Sequence, residues 1–315
     1  MASWTHESAT KRASMPEPQP MEATAVNQFA PARPEALWRR LGRLPITLYL
    51  GGTLVSLFVL VTLVSFVWTP HPPNQMNLST RLAPPGTSGF LLGTDRAGRD
   101  VVTELMLGAR NSLYVSVVST VVAMVLGTAL GLTIAGSPRM IQGVSTRLVD
   151  AGLALPGILT ALVLAAKLGA GNTTATLAII TWQVPVAARV TIGPARQILA
   201  LDFVEAAYGY GRRKPYVLRR HVLPNIGPLL IVLGSVMFAA AILIEAALAF
   251  LGVGVQPPTS SWGRFLNETQ SLLEAAPFLM FFPGLAIVLT ALGFNLLGDG
   301  LRTVLDPQQA RSGLS

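Results

Sequence analysis

Residues able to do chemistry are sparse in this sequence. The densest set runs from Glu205 to Pro224, in EAAYGYGRRKPYVLRRHVLP. One carboxylate, Glu205, precedes Arg212, Arg213, Lys214, Arg219 and Arg220, with His221 among them. Such a set suits docking to a charged protein surface or to lipid headgroups rather than bond making. Catalytic sets are missing elsewhere. There is no cysteine, which removes thiol chemistry, disulfides and zinc fingers. The histidines are His6, His71 and His221, none inside an apolar stretch. H-E-x-x-H and G-x-S-x-G do not occur, and neither does a G-x-x-x-x-G-K-[ST] loop able to cradle nucleotide phosphates. The chain therefore reads as a non-enzyme with no cofactor or metal site of its own.

The local order of the basic segment is legible. Glu205, Ala206 and Ala207 are good helix formers. Asp202 stands where it can cap the helix and meet its positive N-terminus. Gly209 and Gly211 mark the helix end. Pro224 breaks regularity before the next apolar stretch. The expected shape is a short helix, a glycine turn and a second short helix. That knob can dock into another protein's cleft, or it can be an ordinary basic loop at a membrane face.

The elements holding this segment are apolar. Hydrophobic residues make up 51% and charged ones 12%, the latter about half the usual ~25%. A spanning helix needs about 20 apolar residues, and six candidates appear: Pro45 to Trp68, Ser112 to Gly136, Val149 to Gly169, Thr174 to Ile192, Pro228 to Gly254 and Pro277 to Gly300. The third and fourth carry internal prolines. The prediction is an all-α membrane protein of six spans. Lys and Arg concentrate in the N-terminal stretch, the loop around Arg139 and Arg147, and the segment from Arg189 to Arg220. Retention of those residues on the inner side places both termini in the cytoplasm. The net charge of +8 is then a membrane-orientation signal, and no nucleic-acid partner is expected. The organisation follows: a polar, Pro-rich disordered tail over 1–44 with no cleavable signal, a first helix over 45–68, an extracytoplasmic segment over 69–111, a core over 112–300 with a cytoplasmic loop at 195–227, and a C-tail over 301–315.

Small residues recur every fourth position at Ala123, Gly127, Gly131 and Ala135, a ridge that lets another helix approach closely. Ala241, Glu245 and Ala249 repeat the spacing near the middle of the fifth span. Ionisable groups inside membranes are costly and default to functional roles, so Glu245 either lines a path or locks two helices. Asn295 is set beside Glu245 as a candidate for the path or its gating, and Asn295 and Asp299 on the last span can reach water or a partner. Asp150 and Arg189 lie near the ends of theirs. Asp95, Arg96, Arg99 and Asp100 lie outside, in an expected amphipathic approach to the second span.

Several of these stretches resemble one family. Glu205-Ala206-Ala207, three residues, Gly211, nine residues and His221-Val222-Leu223-Pro224 match the EAA motif of ABC importer permeases, with His221 in place of the motif's Ile. LLGTDRAGRDVVTELMLGARNSL (Leu91 to Leu113) is similar to a signature of the dipeptide, oligopeptide and nickel branch, with Glu104 a minor departure. AFLGVGVQPPTSSWGRFLNE (Ala249 to Glu268) and LGDGLRTVLDP (Leu297 to Pro307) are similar to two more. The likeness covers roughly Pro45 to Pro307, and the chain is identified as a member of that branch, as its second, C-type permease.

The resemblance implies a type I importer fold in the inner membrane. It implies a second permease as heterodimer partner, two ATPase subunits that bind ATP and Mg, and an extracytoplasmic binding protein. Glu205, Ala206, Ala207 and Gly211 would form and end the coupling helix, with Leu223 and Pro224 completing the motif. Arg212, Arg213 and Lys214 would meet acidic ATPase surface, or lipid. Asp95, Arg96, Arg99 and Asp100 would pair among themselves or face the docked binding protein. Expected cargo is a dipeptide or oligopeptide. Nickel or another small solute is the alternative, made less attractive by the lack of cysteine and of histidine in the spans. A secondary transporter would need internal inverted repeats and a midplane ion site, and no clear repeat is visible.

Overall fold

A computed structural model describes residues 45–305. The expectations for the tail over 1–44 and for the chain after 305 lie outside the described residues.

The described residues are helical, with short 3-10 turns and isolated bridges. Five helices are long and apolar enough to cross a membrane, or six spans if one bent pair counts as one. Helix α1 is Ile46–Val67 and starts at Pro45, whose missing N–H costs nothing at a helix start. Helix α2, Val101–Ala135, begins about three turns before Ser112. Residues 101–111 are thus the first turns of the same helix as the second span. Asp100 sets that start: its Oδ2 accepts from the Thr103 backbone N–H at 2.9 Å and from the Thr103 hydroxyl at 2.7 Å.

The third expected span is broken. Helices α3 (Arg139–Ala154) and α4 (Gly157–Leu168) meet at 81°. Pro156 explains the break, because the residue before a proline is pushed out of the α region, and Leu155 sits at ψ 122°. Helix α5, Asn172–Leu199, continues through Pro185 and Pro194. Helix α6 is Asp202–Gly209. Helix α7, Lys214–Phe250, runs unbroken from the basic segment through the fifth apolar stretch. Pro224 does not end it; the helix widens into a π turn over Leu218–Val222, where the Leu223 N–H reaches back to the Leu218 carbonyl. The expected second short helix is therefore the first turns of the fifth span. Helix α8 is Trp262–Thr269, and α9 is Phe278–Leu305.

Glycines decide which helices touch. On the predicted ridge, a Cβ at Gly127 would lie 2.5 Å from the Ala187 Cβ, and one at Gly131 would lie 2.7 Å from the Ala188 carbonyl oxygen. The ridge is consumed within the chain, by α5. A second set joins α1 to α9: a Cβ at Gly51 would lie 2.3 Å from the Leu297 N. Such approaches supply the packing that lipid, as apolar as the side chains, cannot drive. The lipid-length faces of α1 stay exposed at Leu57, Leu60, Leu63 and Phe66.

Candidate functional site

Helix α6 and the first turns of α7 form the knob expected from the sequence. Leu201, not Asp202, stands at the N-cap and offers no side-chain bond; Asp202 and Glu205 occupy the first turn, where the helix dipole favours them. The helix closes through Gly211. Its φ is +74°, its N–H donates to the Tyr208 carbonyl at 2.8 Å, and the Arg212 N–H donates to the Ala207 carbonyl at 3.1 Å. This pair of bonds is a Schellman closure, which needs a left-handed residue at that position. The glycine three residues after EAA therefore has a backbone reason.

Val204 and Val217 are fully buried and pin the knob. Val222 and Ile226 pack with Leu132, Ala135 and Ala195, and half-buried Leu223 joins them. Lys214 lies across Gly136 at the C-terminus of α2, so close that a Cβ there would sit 2.5 Å from its Cε. A cation at that end complements the helix dipole. What remains is an exposed face. Glu205, Ala206, Arg212, Arg213, Arg219, Arg220 and Pro224 are exposed. The Glu205 carboxylate has no hydrogen bond or ion pair among the described residues, so it does not cap its own helix. Arg212 stacks over Tyr216, its Cζ 5.0 Å from the ring centroid. Phe203, Tyr208, Tyr210 and Tyr216 stand exposed beside these charges, Tyr210 at 87%. Aromatics with arginine are the usual composition of a protein interface. Sequence reasoning missed them, although three of the chain's five tyrosines fall in this segment.

Glu245 lies elsewhere, five residues from the Phe250 end of α7 rather than near its middle, about 7 Å from that end. It is 1% exposed. Its Oε2 accepts from the Ser112 hydroxyl at 2.9 Å, and its Oε1 from the Asn111 Nδ2 at 3.2 Å. Asn111 in turn accepts from the Asn172 Nδ2. One carboxylate thus ties α7, α2 and the start of α5. Asn295 is exposed on α9, with Asp299 a turn further on, also exposed; the structure does not bring Asn295 together with Glu245. Asp150 and Arg189 pair at 3.3 Å with both side chains about half exposed.

The stretch GTDRAGRD folds as one ordered turn. The Asp95 Oδ1 accepts from the Ala97 and Arg99 N–H groups at 2.7 and 2.9 Å, and its Oδ2 from the Arg99 Nε at 2.7 Å. Gly98, at φ +73°, passes so near Asn77 that a Cβ would lie 1.8 Å from its carbonyl oxygen. Arg99 reaches Glu268 of α8 at 2.9 Å and approaches Glu104 at 3.6 Å, and Arg264 joins Glu268. Burial pushes the Glu268 carboxyl up, but the Arg264 and Arg99 guanidiniums outweigh it and hold it below the ordinary carboxylate range. Arg96 is exposed, and its carbonyl accepts from the Arg81 Nε at 2.7 Å. Asp95, Arg99 and Asp100 are thus spent on local order, and Arg96 alone of the four presents its side chain to the outside.

The chain as a whole is similar to known proteins. Residues 123–311 match the family of binding-protein-dependent transport system inner membrane components. The chain is 35% identical to the glutathione transport system permease protein GsiD of Pectobacterium atrosepticum over 86% of this chain and 90% of that one. It is 36% identical to the dipeptide transport system permease protein DppC of Alkalihalophilus pseudofirmus over 82% and 84%. It is 38% identical to the di/tripeptide transport system permease protein DppC of Pseudomonas aeruginosa over 82% and 88%. Among solved structures, an inward-facing MetNI methionine ABC transporter matches in fold with a TM-score of 0.52 at 16% identity, over 64% of this chain and 96% of that one.

Proposed function

Since the chain belongs to the binding-protein-dependent transport system inner membrane component family, and is thereby the permease subunit of an ABC transporter in the inner membrane, we propose that it imports short peptides. The observation that carries the cargo is the set of relatives at 35–38% identity, whose names specify glutathione, dipeptides and di/tripeptides. Glutathione is itself a tripeptide, so one chemical class covers all three.

In this reading the chain pairs with a second permease, and a binding protein delivers peptide from outside. Two ATPase subunits carry ATP and Mg and dock on the face formed by Glu205, Ala206, Ala207, Gly211, Arg212 and Arg213. Both termini are cytoplasmic, which places that face inside with the basic residues. The exposed Phe203, Tyr208, Tyr210 and Tyr216, with an unpaired Glu205 in the same segment, support the docking role. Closure of the ATPases around ATP moves the knob, and α7 carries the movement to Glu245. The Asp95–Arg99–Asp100 turn holds the outer approach to α2 in shape, and Arg96 is the member of that group free to meet the binding protein. Asn295, exposed on α9, is assigned with Glu245 to the translocation path or its gating.

The test is uptake of a labelled dipeptide in cells lacking the gene, restored with wild type or with Glu205→Arg, against nickel and glutathione as competitors. Uptake restored by wild type alone, and blocked by glutathione but not by nickel, supports the proposal. Uptake unaffected by deletion, with falling nickel accumulation, overturns the cargo and keeps the machine.

A further inference from the structure

A cavity of about 480 Å³ opens at the outer ends of α1, α2 and α5. This is within the usual ~300–1,000 Å³ of small-molecule sites. Its walls are apolar at Phe66, Leu107 and Pro258, and its polar groups include Arg110, Asn111 and Asn172 beside Thr259 and Ser260. Arg110 is half-buried. Its Nε donates to the Ser65 hydroxyl at 2.7 Å and its Cζ lies 4.7 Å from the Phe66 ring centroid. No carboxylate among the described residues pairs with it, and its two terminal nitrogens have no protein acceptor there. A guanidinium held in a spanning helix without a counter-ion is costly and calls for an anion. Asn172 donates its Nδ2 to Asn111 and leaves its carbonyl oxygen unpartnered among the described residues.

We propose that this cavity receives the incoming short peptide, with the Arg110 terminal nitrogens binding its C-terminal carboxylate and the Asn172 oxygen accepting from its N–H groups. The proposal rests on the peptide-import reading. Guanidinium and carboxylate match in a bidentate fork. Leu107 and Phe66 give side chains of varied shape a non-selective wall. An amide acceptor beside the guanidinium suits a peptide bond, and a lipid phosphate makes no use of it. Asn111 connects the cavity floor to Glu245, so an occupant touches the network that joins α2, α5 and α7.

The test uses the assembled transporter in nanodiscs, with a photoreactive residue replacing Tyr114, which lines the cavity and is exposed. Loaded binding protein presents radiolabelled alanyl-phenylalanine with ATP. Label on this chain is expected, reduced at least about tenfold by Arg110→Gln, the least expected from losing a charge-assisted contact, and less by Arg110→Lys. Leu107→Trp, which fills the cavity and keeps the charge, should also abolish capture. Label retained in Arg110→Gln, or capture of lipid or of the partner permease alone, overturns the proposal. A wild-type complex that transports the dipeptide without capture sinks this site only. One that does not transport it sinks the import reading itself.

Discussion

Arg99 and Glu268, 169 residues apart in the chain, meet at 2.9 Å and join the turn before α2 to helix α8. The Arg99 side chain is only 11% exposed and also holds Asp95 and approaches Glu104. Removing it leaves three carboxylates together without their shared cation. Arg99→Ala is expected to cost about 3–5 kcal/mol, the range for breaking a buried pair by deleting one partner. Thermal unfolding of the purified protein in detergent measures this.

The same contact gives a pH dependence. The Glu268 carboxyl lies below its ordinary value in the folded state. Its contribution is therefore fully present above the unfolded carboxylate pKa, about 4.3, and fades as pH falls through the lower folded value. The melting difference between wild type and Glu268→Gln should be largest near neutrality and shrink in acid. A difference that grows below about pH 4 would show that the folded Glu268 carboxyl is not held below its unfolded value.

Glu245 joins three helices through neutral partners. Glu245→Gln keeps an oxygen for Asn111 and should change stability by less than about 1 kcal/mol. Glu245→Ala leaves the buried Asn111 and Ser112 donors without their acceptor and should cost about 2–4 kcal/mol. Limited proteolysis should then show α2 and α7 loosening together.

Gly127 faces Ala187 with no room for a methyl group, whereas Gly143 on α3 faces open space. Gly127→Ala is expected to destabilise by about 1–3 kcal/mol through overpacking. Gly143→Ala should stabilise by roughly 0.4–1 kcal/mol through the unfolded chain. The opposite signs are read from melting temperatures of the two variants.

Gly211 at φ +74° closes the knob. Gly211→Ala is expected to cost about 1–2 kcal/mol, and Gly211→Asn less, because Asn visits the left-handed region more readily. Binding of the partner ATPase, measured by co-purification, should fall in the same order.

Hydropathy and spacing made the apolar spans, the α2 ridge and the helix-then-glycine shape of the knob legible. Local chemistry decides those features, and local chemistry is what a sequence displays. The bend at Pro156 was signalled by the proline but not its 81° angle, which depends on what α3 and α4 pack against. Pro224 misled, because a helix already anchored by Val217, Val222 and Ile226 absorbs a missing N–H by widening one turn. The Arg99–Glu268 and Glu245–Ser112 contacts were out of reach, since nothing in one segment announces its distant partner. The Gly51 contact with α9 was missed for the same reason, and the aromatic face of the knob because tyrosine in a basic loop draws little notice beside its arginines.

Helix α7 carries both the docking face and the Glu245 knot, separated from Val217 to Glu245 by about 42 Å of helix. Its irregular turns, the π stretch and Pro228, cluster toward the Lys214 end, and the rest is uninterrupted. The helix is thus a stiff rod with a compliant collar at its Lys214 end. A tilt of the rod of about 5° would shift the far tip by roughly 4 Å at that length, more than a hydrogen bond can stretch. In the proposed importer the collar would set how much of each stroke is delivered. Stiffening it should tighten the coupling between ATP turnover and transport, and softening it should let the ATPases idle.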